Sequence, residues 1–311
     1  MTATPPTAWW PPSRRSTVWR ALWSRTRSGS DVSRLNDAAG QWVEVDADTA
    51  ALLEKANAAA QESAMAFDPA LSPCHGRLGL RLHRERDHGG PPGALPGRTG
   101  RPAPPDPGPP PRWRRDGPAC PWRGRRWTFG AIAKGAAAAY VVDALTEHGV
   151  ESAIIALGGN ITALGTKPDG SPFRVYVRDP QGGEEDYLCL MALPAGMTCS
   201  TSGGYERWFE SGGEIYHHII DPSDGYPAQS GLLSVTVVAQ DPALADAWST
   251  ALYVLGAEEA VARWESGTGS VAGMELILVT EEGTVYITEG LEEGLETLGE
   301  EAGYTYEILR R

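Results

Sequence analysis

Between Cys74 and Trp127 the chain holds 12 arginines, 12 prolines and 10 glycines, with no lysine and only four acidic residues. Proline removes backbone donors and glycine weakens helices and strands, so such a tract cannot bury a core of its own. The fold must come from its flanks, residues 30–73 and 128–311, read together as a single domain. Residues 1–29 are read as an irregular N-terminal segment. Lysine is absent there too, while residues 1–30 hold five arginines and no acid. Both stretches have the composition of GC-rich coding sequence read out of frame. One uninterrupted frame over 73–127 on resequencing would rule that out.

The whole chain of 311 residues carries a net charge of −13. The tract contributes +8 and the first 30 residues +5, which leaves −26 on the rest. Arg with interleaved Trp in the tract can clamp phosphate and stack on bases. A low-complexity stretch is the ordinary reading, so nucleic-acid binding is a distant alternative and no nucleic-acid partner is expected. Cys74, Cys120, Cys189 and Cys199 show no CxxC spacing and read as ordinary reduced thiols. No run of 18 apolar residues is present, so no transmembrane segment is expected. The start lacks a continuous apolar stretch ending in a small-residue cleavage site. The compartment stays open on these grounds, with a lean toward the cytoplasm.

The flanks alternate helical and strand patterns. SDVSRLNDAAG (30–40) reads as a polar turn, followed by a helix that Asp48 is placed to cap. GAIAKGAAAAYVVDALTEHGV gives a glycine-led loop and a helix from about Lys134 to His148. SAIIAL is a short strand closed by GGN. FRVYVRD, DYLCLMAL, MTCSTSG, YERWFE, EIYHHIID and LLSVTVVA are strand-like, separated by Gly, Pro and Asp turns. A helix from Pro242 to about Leu255 and another from Ala257 follow. MELILVTEEGTVYITEG then reads as a hairpin turning at Glu281–Gly283. Six or more strands with few βαβ alternations predict an α+β fold of mixed and antiparallel sheets with packed helices.

Several short stretches carry chemistry. Asp246 and Thr250, one helical turn apart, are hard oxygen donors suited to Mg²⁺. Gly158, Gly159 and Asn160, directly after a strand, let backbone N–H groups approach a phosphate. Lys134 at a helix start could hold an anion. Thr201 to Trp208 bring hydroxyls, Tyr205 and Arg207 together. His217 and His218 are adjacent on a strand and so face opposite ways, which disfavours a zinc pair and puts one of them toward a site. Taken singly, each has an ordinary structural reading: a solvated Asp, a tight turn, a surface lysine. No GxSxG, HExxH, Walker loop or complete GxGxxG fingerprint is present.

In their order, SDVSRLN, AFDP, GAIAKG, LGGN, TSGGYERW, YHHIIDPSDGYP and AQD…AD.WSTAL resemble the FAD:protein FMN transferase (ApbE) family over residues 30–73 and 128–290. The resemblance implies an ApbE-like, T-fold-type architecture. It also implies Mg²⁺-dependent transfer of FMN from FAD to a Thr or Ser hydroxyl of an acceptor flavoprotein, with release of AMP. By the same resemblance the metal would be held by the main chain of Ala131 and the side chains of Asp246 and Thr250. Lys134, Gly158, Gly159, Asn160, Ser202, Tyr205, Arg207, His218 and Ile219 would surround FAD, and His218 with Asp246 would be catalytic. Thr128 and Gly204 stand where the family usually has Asp, and the Arg/Pro tract replaces an expected strand and part of the flavin pocket. FAD pyrophosphatase activity and an inactive FAD-binding remnant are the alternative readings.

Overall fold

The computed structural model describes residues 19, 21–38, 41–71, 126–211 and 214–311. The expectations for residues 1–18 and 74–125, including Cys74 and Cys120, lie outside the described residues.

The frame is a seven-stranded sheet in the order β1-β2-β5-β8-β9-β10-β12. Its strands are β1 (Ala153–Leu157), β2 (Asn160–Leu164), β5 (Thr198–Gly203), β8 (Leu232–Ala239), β9 (Glu275–Thr280), β10 (Thr284–Thr288) and β12 (Thr305–Leu309). All neighbours are antiparallel except β10 with β12. One face packs on helices α2 (Ala47–Glu62), α3 (Ala133–Glu147), α4 (Pro242–Leu255) and α5 (Ala257–Ser266). The other face packs on a three-stranded sheet of β3 (Phe173–Arg178), β4 (Tyr187–Leu193) and β11 (Glu296–Thr297). Strand β8 lies in the middle, and its alternation divides between the two layers. Val235, Val237 and Ala239 enter the helical core, while Val238 enters the opposite one. A strand covered on both faces reads as a nearly continuous apolar run, and LLSVTVVA is one. The α+β expectation with mixed and antiparallel sheets therefore holds.

Helix α4 is the central buried helix. Asp241 caps it, its carboxylate accepting from the N–H groups of Ala243 and Leu244, and Pro242 opens the first turn. Gly256, at φ 87°, ends it. Trp248 is 1% exposed and forms the centre of the helical core. The N-terminus of α3 abuts that of α4 so closely that a Cβ on Gly135 would stand 1.8 Å from the Pro242 carbonyl oxygen. Only glycine permits that approach.

Three local expectations change. Residues 31–37, read as a turn, form a short helix α1 (Asp31–Asp37) because the Ser30 hydroxyl accepts from the Ser33 N–H. Asp46, not Asp48, caps α2: its extended backbone lets the carboxylate accept from the Asp48 N–H. Asp48 instead lies in the first turn and accepts a hydrogen bond from the Tyr140 hydroxyl. The strand-like YERWFE begins with a 3₁₀ turn over Gly204–Glu206, and only Trp208–Ser211 forms a strand, β6. It pairs with β7 (Glu214–His217) in a separate hairpin whose Phe209 and Tyr216 rings stack at 5.2 Å.

The flanks of the Arg/Pro tract meet. The Thr128 N–H donates to the Pro69 carbonyl at 2.7 Å, and Leu71 and Arg126 form a parallel bridge. Asn36 reads the Trp127 backbone at both ends, its Nδ2 donating to the carbonyl at 3.0 Å and its Oδ1 accepting the N–H at 2.6 Å.

Candidate active site

The site begins with the glycines that close β1. Gly158 and Gly159, at φ 55° and 89°, form a two-residue hairpin turn between Leu157 and Asn160. Two consecutive positive φ angles define the tight turn that matches strand twist, and glycine adopts them without strain. The turn is tied to β5, where the Thr201 N–H donates to the Gly159 carbonyl at 3.1 Å. A Cβ on Gly158 would lie 3.8 Å from Lys134 Cδ, so the lysine stem runs beside this corner.

Lys134 ends on Asp246. Its Nζ donates to Oδ1 at 2.7 Å, and the Gly135 N–H donates to Oδ2 at 3.1 Å. The Asp246 side chain is buried, whereas that of Lys134 is 39% exposed. Gly135 is the third residue of α3, so its N–H is one of the donors a helix start leaves unpaired, and Asp246 satisfies it; Ala131 lies just before the helix. Asp246, Ser249, Thr250 and Tyr253 share one face of α4 at spacings of three and four residues.

That face meets β5 through hydroxyls. Ser202 Oγ lies 2.8 Å from Ser249 Oγ and 3.2 Å from Thr250 Oγ1. Ser200 Oγ donates to Asn160 Oδ1 at 2.7 Å and lies 3.3 Å from Ser249 Oγ. Asn160 is fully buried, and its Nδ2 has no partner among the described residues. Such an orphaned donor costs free energy unless something else accepts from it.

The other side is built by two turns. Tyr205, on the 3₁₀ turn, packs on Gly203 with the Arg178 guanidinium 5.5 Å over its ring, and burial pushes its phenol up to about 12. Arg207 extends an exposed side chain, and its carbonyl accepts from the His218 N–H at 3.1 Å. His218 follows directly on β7 and is half-buried. Ile219 faces the helical core, with both its N–H and carbonyl hydrogen-bonded.

The structure thus brings Lys134, Gly158, Asp246, Thr250 and Ser202 into one contact network. Tyr205, Arg207 and His218 lie on the adjoining turns. The donors on α4 fit a hard cation: a carboxylate and a hydroxyl one helical turn on. No group of three His, Cys, Asp or Glu side chains placed to hold a metal is present among the described residues. Cys189 and Cys199 are free and buried, and burial pushes both thiols up to about 12. Sequence reasoning passed over Ser249, Ser200, Tyr253 and Arg178. For Ser249 and Tyr253 the signal was present, since both fall on the Asp246 helical stripe. Arg178 comes from a strand distant in sequence and left none.

Together these features define an α+β protein with an oxygen-donor, cation-compatible site beside a glycine corner. The model of the ApbE family matches residues 14–274, and the chain belongs to that family. It is 42% identical over 148 residues to an FAD:protein FMN transferase of Treponema pallidum, covering 45% of this chain and 40% of that protein. It is 35% identical over 170 residues to one of Rhodobacter capsulatus, covering 55% and 31%. The chain thus spans less than half the length of these curated relatives. Among solved structures it resembles the ApbE protein of Thermotoga maritima, with TM-score 0.74, 29% identity and coverage of 88% and 86%. It also resembles the apo flavinyl transferase ApbE of Pseudomonas stutzeri, with TM-score 0.67, 29% identity and coverage of 91% and 82%.

Proposed function

We propose that this chain transfers FMN from FAD to a Thr or Ser hydroxyl of an acceptor flavoprotein, with Mg²⁺, releasing AMP. The observation that carries the proposal is the meeting of Asp246, Thr250, Ser202 and Lys134 beside the Gly158–Gly159 turn. The names of the relatives point the same way. Ala131 through its carbonyl, with Asp246 and Thr250, would hold the metal. When bound, a hard divalent cation neutralises charge on diphosphate oxygens.

Each remaining role falls to a named group. Lys134, with its charged head partly in water, is free to leave Asp246 Oδ1 for a phosphate oxygen. The glycine turn admits backbone close to the dinucleotide. Asn160 Nδ2 supplies an uncommitted buried donor. Tyr205 and Arg207 flank the bound nucleotide. Both carboxylate oxygens of Asp246 already accept hydrogen bonds, so we assign it to the metal and give the proton of the acceptor hydroxyl to His218.

The test is incubation with FAD, Mg²⁺ and a candidate acceptor, reading covalent flavin fluorescence on the acceptor. Flavin that transfers only with metal supports the reading. FMN and AMP forming without acceptor would show pyrophosphatase activity in its place, and FAD binding without turnover would show an inactive remnant.

A further inference from the structure

We propose that His217 is a positioning residue for flavin transfer, locking the turn that carries His218 to helix α4 and to the Gly204–Glu206 turn. The inference rests on the reading of the site given above. His217 ends β7, and its ring faces inward between three segments. Its Nε2 lies 3.0 Å from the Ala228 carbonyl, which can only accept, so Nε2 carries the proton. Nδ1 is then an acceptor and receives the Ile219 N–H at 3.3 Å. One neutral ring of fixed tautomer thereby pins both ends of the 218–228 turn. The Ala228 N–H, donating to the Ile219 carbonyl at 3.0 Å, closes the same clasp.

The ring also meets α4. It stands edge-on to Tyr253, with centroids 5.7 Å apart and planes at 86°. The Tyr253 hydroxyl lies 3.5 Å from Nε2 and accepts from the Gly204 N–H. A Cβ on Gly204 would stand 2.9 Å from both His217 Cδ2 and the Tyr253 hydroxyl, so the two rings fill the space a side chain there would need. Tyr253 lies three residues beyond Thr250 and seven beyond Asp246. Gly204 adjoins Tyr205 and follows Ser202 by two residues. His217 therefore touches the backbone or the helix that places His218, Tyr205, Ser202, Thr250 and Asp246, without itself reaching the metal donors. A rotation of this ring would shift the proton-accepting side relative to the metal-holding side.

The discriminating experiment compares His217→Gln, His217→Phe and Tyr253→Phe with the unaltered chain. Its readouts are Tm, FAD affinity by flavin fluorescence, and kcat and KM for FAD from AMP release with acceptor present. Gln places a donor where Nε2 sits, whereas Phe keeps the volume and no polar atom. For folded His217→Phe, kcat should fall by about tenfold or more, as loss of reactant alignment does. KM should stay within about twofold, and Gln should restore most of kcat. Tyr253→Phe should lower kcat, and combining it with His217→Phe should add little. Variants that lose Tm while kcat per folded molecule is unchanged would overturn the proposal. So would a Gln variant as impaired as Phe. If the unaltered chain turns over FAD, either outcome defeats only the role of His217. If it turns over none, the transfer reading falls and this inference with it.

Discussion

The Gly135 N–H and the Asp246 carboxylate meet at 3.1 Å where the first turns of α3 and α4 abut. This contact joins α3, whose first turn holds Lys134, to the helix that carries Thr250. It also gives the Gly135 N–H, which a helix start leaves unpaired, a buried acceptor.

The first expectation concerns Asp246 itself. Asp246→Ala leaves the buried Gly135 N–H without an acceptor and should cost about 1–3 kcal/mol of stability. Asp246→Asn keeps an acceptor at that position and should stay within about 1 kcal/mol of the unaltered chain. Both should lose Mg²⁺ binding measured by calorimetry, along with metal-dependent flavin transfer. Chemical denaturation separates the two variants.

Gly135→Ala is the sharper test of the helix contact. Alanine favours a helix by about 1 kcal/mol over glycine. That gain is overrun by a Cβ placed 1.8 Å from the Pro242 carbonyl oxygen, a backbone atom that cannot rotate away. Thermal unfolding should show a net loss of about 3 kcal/mol or more.

Asn36 holds Trp127 by two hydrogen bonds across 91 residues of sequence. Asn36→Ala removes both partners at once and should destabilise by about 2 kcal/mol. Asn36→Asp keeps the acceptor for the Trp127 N–H and loses the donor, so it should fall between the two in urea denaturation.

Burial lowers the His217 pKa below its ordinary 6.5, with the Ala228 carbonyl opposing part of the shift. The folded chain then binds fewer protons at this position than the unfolded chain. Its contribution to stability is full well above pH 6.5 and declines as pH falls through that value toward the lower folded pKa. Comparing the pH dependence of Tm for the unaltered chain and His217→Gln isolates this contribution, which the variant should lack.

The legible parts of this fold are those where local pattern and burial agree. Pro242 to Leu255 is a helix by its proline start, apolar stripe and glycine stop, and the structure gives the same limits. LLSVTVVA and the Glu281–Gly283 turn were equally plain. The 3₁₀ turn at Tyr205 was not, because aromatic residues favour strands and only packing against Gly203 decides the geometry. The short helix at Asp31 depends on one cap, and β12 pairs with β10 across a long connection no local pattern records. The candidate site divides similarly. Asp246 with Thr250 is visible as a helical spacing, whereas the inward turn of His217 depends on Ala228 and Tyr253, far from it in sequence.

The bridge between Leu71 and Arg126 has one more consequence. These two residues are already neighbours, with 54 residues of chain between them. Loop-closure entropy grows only with the logarithm of length, so exchanging that span for a five-residue linker would change the closure term by about 2 kcal/mol. A variant in which a five-residue linker joins Leu71 to Arg126 should therefore keep the strand registers of the body, at a stability shifted by about that amount.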